Sequence, residues 1–219
     1  MSASEFNHDH DRTQRLGFAE AIFCQDKSPA QIASILRSAK DAGNPLLLTR
    51  LSPDKSADIV SVEQLELDYD DVSQTAYFLR QPQSSRSGLS VAIVTAGTSD
   101  AAPAREAYRT LLFHDVEAEL YFDVGVAGLW RLLDRLDEIR RHDVVIVVAG
   151  MDAALPSVLG GLVHQPIIAV PTSTGYGAAR SGETALAACL TSCAPGVLVC
   201  NIDNGYGAAC AALRILNIR

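Results

Sequence analysis

No run of this chain is long and apolar enough to cross a bilayer. Residues 144–149 and 167–170, its most apolar stretches, fall far short of the roughly 20 residues a membrane helix needs. No charged-then-apolar leader opens the sequence, so a cytoplasmic home is expected. A basic excess is missing too. Lys and Arg number 18 against 26 Asp and Glu, giving a formal net charge of -8. Such a surface repels nucleic acid and anionic lipid unless a basic patch overrides it, and the sequence contains no such patch. Paired CxxC spacings are absent as well. The five cysteines, Cys24, Cys189, Cys193, Cys200 and Cys210, read as free thiols in a reducing compartment.

What the chain does have is apolar content, 48% over 219 residues, ample for one full domain and a smaller accessory region. Residues 1–11 are polar and aperiodic, and order is not expected there. Within them His8 and His10 alternate with Asp9 and Asp11. That spacing in a polar tail lacks a distant third ligand, so solvation is expected rather than metal binding. Ser28 and Pro29 stand where an N-cap and a first helical proline belong, which predicts a helix from Pro29 to about Ala42, stopped by Gly43. Leu46 to Thr49 then reads as a short strand. The sequence QPQSSRSG at 81–88 has the composition of a linker, dividing an accessory region, 1–80, from a larger domain, 89–219.

Beyond the linker, apolar runs at 90–95, 119–122, 144–149, 167–170 and 197–202 alternate with segments of helical length. The latter lie at 103–114, 128–140, 155–163, 183–191 and 207–216. Near-continuous Val, Ile and Ala mark strands buried on both faces, hence a parallel sheet with helical crossovers. The prediction is an α/β three-layer sandwich, flavodoxin-like, with strand order 2-1-3-4-5.

In such a sheet, ligands bind beyond the carboxyl ends of the strands, where loops meet helix N-termini. Unusual residues concentrate there: AGTSD at 96–100, DVGVAG at 123–128, GMDAALPS at 150–157, PTSTGYG at 171–177 and DNGYG at 203–207. Thr98, Ser99 and Asp100 suit a phosphate or ribose, although Ser99 or Asp100 would equally serve as a plain helix cap. Asp152 follows a strand directly, where a carboxylate acts either as a general base or as the acidic first turn of a helix. Cys193, in SCAPG at 192–196, sits at a helix end outside any core element, whereas Cys189, Cys200 and Cys210 read as small core fillers.

Together the segments VTAGTSD, DVGVAG, VVAGMDAALPSVLGGLV, IIAVPTSTGYG, SCAPG and NIDNGYGA resemble, in order, the motifs of the LarB family, which is related to the PurE aminoimidazole ribonucleotide carboxylases. Asp9, Arg12, Arg15, Gly17, Phe18, Glu20, Lys27 and Arg50 resemble that family's leader, and only 51–88 is poorly matched. The resemblance implies a PurE-like fold, a homo-oligomer, and a specific reaction. Nicotinic acid adenine dinucleotide and carbon dioxide or bicarbonate would give pyridinium-3,5-biscarboxylic acid mononucleotide and AMP, the first step of nickel-pincer cofactor synthesis. Cys193 would be the nucleophile that makes the ring electron-rich, and Asp152 the base. Thr98, Ser99, Asp100, Asp123, Gly125, Gly150, Ser157, Ser173, Tyr176, Gly177, Asp203 and Gly205 would hold the substrate. Magnesium would sit on Asp100 and Asp123.

The chain departs from the family at three places: Asp152 where glutamate is usual, Ala19 in place of a proline, and Trp130 where histidine is usual. PurE enzymes carry a histidine in AAHLP as their acid/base. Here the equivalent, residues 152–156, has Ala154 at that place, which disfavours purine-pathway carboxylation. A nucleotide-binding relative without turnover is the alternative from a different class.

Overall fold

The structure is a computed structural model that describes Asp9 and residues 12–81 and 88–217. His8, His10, the rest of the polar start and most of the expected linker lie outside the described residues. The chain divides into two compact units, Met1–Gln83 and Ser84–Arg219.

The first unit contains α1 (Arg12–Leu16), β1 (Ala21–Phe23), α2 (Pro29–Ala42), β2 (Leu46–Thr49), α3 (Pro53–Ser61), β3 (Asp68–Asp70) and β4 (Thr75–Phe78). α2 begins with a full capping box. Ser28 Oγ accepts from the Gln31 N–H at 3.2 Å, and Gln31 Oε1 accepts from the Ser28 N–H at 3.0 Å. Gly43, at φ 67°, closes the helix in the left-handed conformation. Its buried face, Ile32, Ala33, Ile35, Leu36 and Ala39, recurs at helical spacing and covers a sheet of order β1-β2-β4-β3. The first pair of that sheet is parallel and the other two antiparallel.

The second unit holds β5 (Ser90–Thr95), α4 (Ala101–Phe113), β6 (Glu117–Tyr121), α5 (Leu129–Ile139), β7 (Val144–Ala149), α6 (Ala154–Gly160), β8 (Ile167–Pro171), α7 (Glu183–Leu190), β9 (Leu198–Val199) and α8 (Gly205–Asn217). All strand pairs are parallel in the order β6-β5-β7-β8-β9, the predicted 2-1-3-4-5. Alternate residues of β5, β7 and β8 (Ala92, Val94, Val145, Val147, Ile167, Ala169) form one core with Leu132, Leu136, Leu155, Leu159 and Cys189 from α5, α6 and α7. α4 and α8 pack together against β5, β7 and β8. Every residue of β7 is buried, as expected for the middle strand of a three-layer sandwich.

Most boundaries shift by one or two residues, β6 for example starting at Glu117 rather than 119, and two differ by more, for identifiable reasons. The last strand was expected over 197–202, but only Leu198–Val199 is regular. The chain still runs beside β8, with Cys200 N–H donating to the Ala169 carbonyl and Asp203 N–H to that of Pro171, both at 2.9 Å. An edge strand with one neighbour keeps those bonds while its geometry loosens. α6 ends at Gly160 rather than 163, where the chain turns through Gly161 towards β8.

Burial pushes the Cys24 thiol up to about 12 from its usual 9.0. The folded state therefore holds a proton that the unfolded chain releases above about pH 9, so stability falls as pH rises from there towards 12. Equilibrium denaturation should show this decline in the wild type and a smaller one in Cys24→Ala. Loss of the α2 cap in Ser28→Ala should cost about 1 kcal/mol by the same measurement.

Candidate active site at the carboxyl edge of the sheet

Between β5 and β7 the sheet switches direction of winding. α4 leaves towards one face and α6 towards the other, which opens a crevice above the strand ends. One buried carboxylate organises it. Asp100, 2% exposed, accepts the Gly97 N–H on Oδ2 at 2.9 Å and the Thr172 hydroxyl on Oδ1 at 2.7 Å. A buried charge without such bonds would be costly. Here it joins the β5 loop to the end of β8, and Thr174 Oγ1 adds a bond to the Ser99 carbonyl at 3.3 Å.

In sheet order β7 lies between those two strands, so the bridge passes over its end. A Cβ at Gly150 would lie 2.6 Å from Thr172 Oγ1 and 2.5 Å from the Thr174 carbonyl oxygen. Only glycine fits beneath the bridge. Gly125 permits a similar close approach beside β5, where a Cβ would stand 2.5 Å from the Ala96 carbonyl oxygen.

Beyond Gly150 the chain makes a strained elbow. Met151 (φ 54°) and Ala153 (φ 46°) are both left-handed, a conformation that costs an L-residue about 1–2 kcal/mol. Between them Asp152 is exposed, with no hydrogen bond or ion pair among the described residues. Ala153 caps α6 without any side-chain bond, so Asp152 does not serve as its N-cap. Strain of this kind concentrates at functional sites. Asp123 and Asp203 are left-handed too, each just beyond a strand. The Asp123 N–H donates to Thr95 Oγ1 at 3.1 Å, and Asp203 Oδ1 accepts the Ser173 N–H at 2.9 Å.

Thr98, Ser99, Ser173, Gly177 and Tyr176, the last 82% exposed, line this edge with free surface. Arg131 also stands here, though its sequence context gave no signal beyond a charge at the start of a helix. Its guanidinium pairs with Asp123 at 2.8 Å and lies 5.9 Å from the Trp130 ring centroid. It is a cation at the edge where anionic substrates are expected.

Two expected contacts, Gly205 and Ser157, are placed elsewhere. A Cβ at Gly205 would collide with the Pro103 carbonyl, so this glycine lets α8 approach α4. The Tyr206 N–H at the start of α8 donates to the buried Glu106 carboxylate at 3.1 Å, which occupies that helix end in place of a phosphate. Ser157 Oγ bonds Ser192 Oγ at 2.7 Å, tying α6 to the SCAPG loop.

Cys193 is exposed, but not at the crevice. Its loop precedes β9, whose Leu198 registers with Ile168 near the start of β8, and Ala194 lies against Gly160 at the far end of α6. Between Ile168 and Pro171, where the crevice begins, the rise is roughly 10 Å. One chain therefore does not bring Cys193 and Asp152 to the same edge. Of the other cysteines, burial pushes Cys24 up to about 12, Cys189 to about 11, and Cys200 upward.

The two expected magnesium ligands already have partners within the protein. Both Asp100 oxygens accept bonds within the protein and Asp123 is paired with Arg131. Among the described residues no three His, Cys, Asp or Glu side chains cluster to hold an ion. No described helix is long and apolar enough to cross a membrane.

Residues 3–80 match the family model of the LarB/PurE-like N-terminal domain, so the match includes 51–80, where the sequence motifs are thin. Residues 90–219 match that of AIR carboxylase. Two curated proteins of Methanocaldococcus jannaschii are similar. "Uncharacterized protein MJ0165" is 50% identical over 130 residues, 58% of this chain and 50% of the relative, so this chain spans about half its length. "N5-carboxyaminoimidazole ribonucleotide mutase" is 34% identical over 134 residues, 59% of this chain and 80% of the relative.

Thr172→Val removes the hydroxyl that satisfies Asp100 and should cost about 1–3 kcal/mol in denaturant titrations. Iodoacetamide applied to the folded protein at pH 8 should modify Cys193 first, with Cys24 and Cys189 labelled only after unfolding, as read by peptide mass mapping.

Proposed function

Since this chain belongs to the PurE-related AIR carboxylase family and carries its LarB/PurE-like N-terminal domain, we propose that it is a carboxylase of the LarB type. It carboxylates the pyridinium ring of nicotinic acid adenine dinucleotide and releases AMP, supplying pyridinium-3,5-biscarboxylic acid mononucleotide for nickel-pincer cofactor synthesis. The supporting observation is the make-up of the β7–α6 elbow. It presents a free carboxylate at Asp152 and no protonatable side chain at Ala153 or Ala154. A carboxylate can take a proton from a ring carbon once that carbon has been made acidic. The mutase chemistry of the relative would want an acid/base where Ala154 stands.

The pyridinium ring is electrophilic and does not attack carbon dioxide unaided. Addition of a thiolate forms a C–S bond and turns the ring into a neutral, enamine-like dihydropyridine. C5 then attacks carbon dioxide and a C–C bond forms. Asp152 takes the C5 proton, the C–S electron pair leaves with sulfur, and the ring regains aromaticity. Water cleaves the phosphoanhydride to give AMP. Thr98, Ser99, Ser173 and Arg131 bind phosphate and ribose oxygens. Aspartate is one methylene shorter than the family's usual glutamate, and the left-handed residues on either side carry it outward.

The thiol is the group that a single chain does not supply at this edge. The reading therefore requires a homo-oligomer in which Cys193 of a neighbouring copy enters the crevice. Cys193 is exposed, as such an arrangement needs.

Purified protein incubated with nicotinic acid adenine dinucleotide, bicarbonate and magnesium should release AMP and a doubly carboxylated mononucleotide. Absence of both rejects the reading, and turnover of aminoimidazole ribonucleotide favours the mutase alternative. Asp152→Asn should lower the rate about 10²–10⁴-fold, and Cys193→Ala should abolish it. Mixed oligomers of these two variants should regain AMP release, because some crevices then combine an intact Asp152 with an intact Cys193. Recovery would be absent if both groups acted from one chain.

A further inference from the structure

Trp130 is the only tryptophan in the chain and is 65% exposed, at the edge of the sheet where the candidate site lies. An indole left in water is an unfavourable use of the largest apolar side chain, and the local structure holds it there. Gly128, just ahead of α5, leaves space for it. A Cβ at that position would lie 3.3 Å from Trp130 Nε1 and 2.9 Å from Arg131 Nε. Arg131 is in turn anchored on Asp123 at 2.8 Å and places its guanidinium 5.9 Å from the indole centroid. The indole already attracts one flat cation, and much of its surface remains open. The short turn Val126–Gly128 packs on α6, the helix into which Asp152 leads. Trp130, in the first turn of α5, thus follows a turn that packs on the helix the candidate base leads into.

We propose that Trp130 is a specificity-determining residue that stacks on the positively charged pyridinium ring of the substrate, with Arg131 taking the adjacent phosphate. The inference rests on the carboxylase reading for the identity of the ring. Its physical content is separate: an electron-rich indole prefers a cationic, electron-poor ring over a neutral one. Adenine has the same flatness without the charge. Stacking of pyridinium on indole also lowers the energy of charge transfer between the two rings, which gives an absorption band at longer wavelength than either alone.

Because the chain has one tryptophan, its intrinsic fluorescence reports this contact in the unmodified protein. Titration with nicotinic acid mononucleotide should quench the emission saturably and produce the long-wavelength band, whereas AMP should do neither. Trp130→Leu should raise KM for the dinucleotide about tenfold with a smaller change in kcat, and Trp130→Phe should restore most of the loss. Quenching by AMP and not by the pyridinium nucleotide would overturn the inference in favour of adenine. A blue-shifted emission insensitive to both would overturn it in favour of a contact between copies. If the wild type releases AMP and Trp130→Leu keeps KM within about twofold, the inference fails and the carboxylase reading stands. If pyridinium quenches saturably with its charge-transfer band and no AMP is ever released, the reading fails while Trp130 still recognises the ring.

Discussion

The crevice depends on a charge buried under two hydrogen bonds. Asp100 reaches over the end of the fully buried β7 to hold Thr172, and its other oxygen fixes Gly97. Without that carboxylate the loops after β5 and β8 would lose their buried anchor and keep the longer bond from Thr174 Oγ1 to the Ser99 carbonyl. The surrounding sequence follows from the bridge. Gly150 is needed because a Cβ would strike Thr172 and Thr174, and the chain beyond it must turn through left-handed Met151 and Ala153. The same elbow pushes Asp152 into solvent, with no ion pair among the described residues. A rigid, buried carboxylate in effect positions an exposed one.

A second constraint is set by chain direction. In a parallel sheet every segment that precedes a strand lies at the amino edge, and every segment that follows one lies at the carboxyl edge. SCAPG precedes β9 and the acidic and hydroxyl residues follow β5 to β8, so the sulfur and the crevice occupy opposite edges. No adjustment of side chains removes a separation imposed by topology. Chemistry that uses both groups must be completed by a second copy, which makes assembly an element of the proposed catalytic arrangement.

Much of the fold was legible because burial on both faces leaves a simple mark. Ser90–Thr95 and Val144–Ala149 read as strands to the residue, and Ser28, Pro29 and Gly43 bracketed α2. Elements with weaker marks escaped. β3 is only Asp68–Asp70, and α3 is short, although its Ser52–Pro53 start repeats the signature that revealed α2. At the site, the strand-end loops and Asp152 could be found from composition and chain order. What Asp100 and Gly205 do could not, because one side chain reaches 72 residues along the chain and the other lets two helices touch. Glu106, which occupies the start of α8, carries no local signal at all. The location of Cys193 was open to deduction, since a residue just ahead of a parallel strand cannot sit at its far end.

The most direct test is a crystal structure of the assembled protein with nicotinic acid adenine dinucleotide bound. The pyridinium ring is expected in the crevice over β5 and β7, with Asp152 of one copy on one side and Cys193 of another within bonding distance of a ring carbon. A dinucleotide bound away from Asp152, or a crevice that no neighbouring sulfur can reach, would contradict the shared-site mechanism.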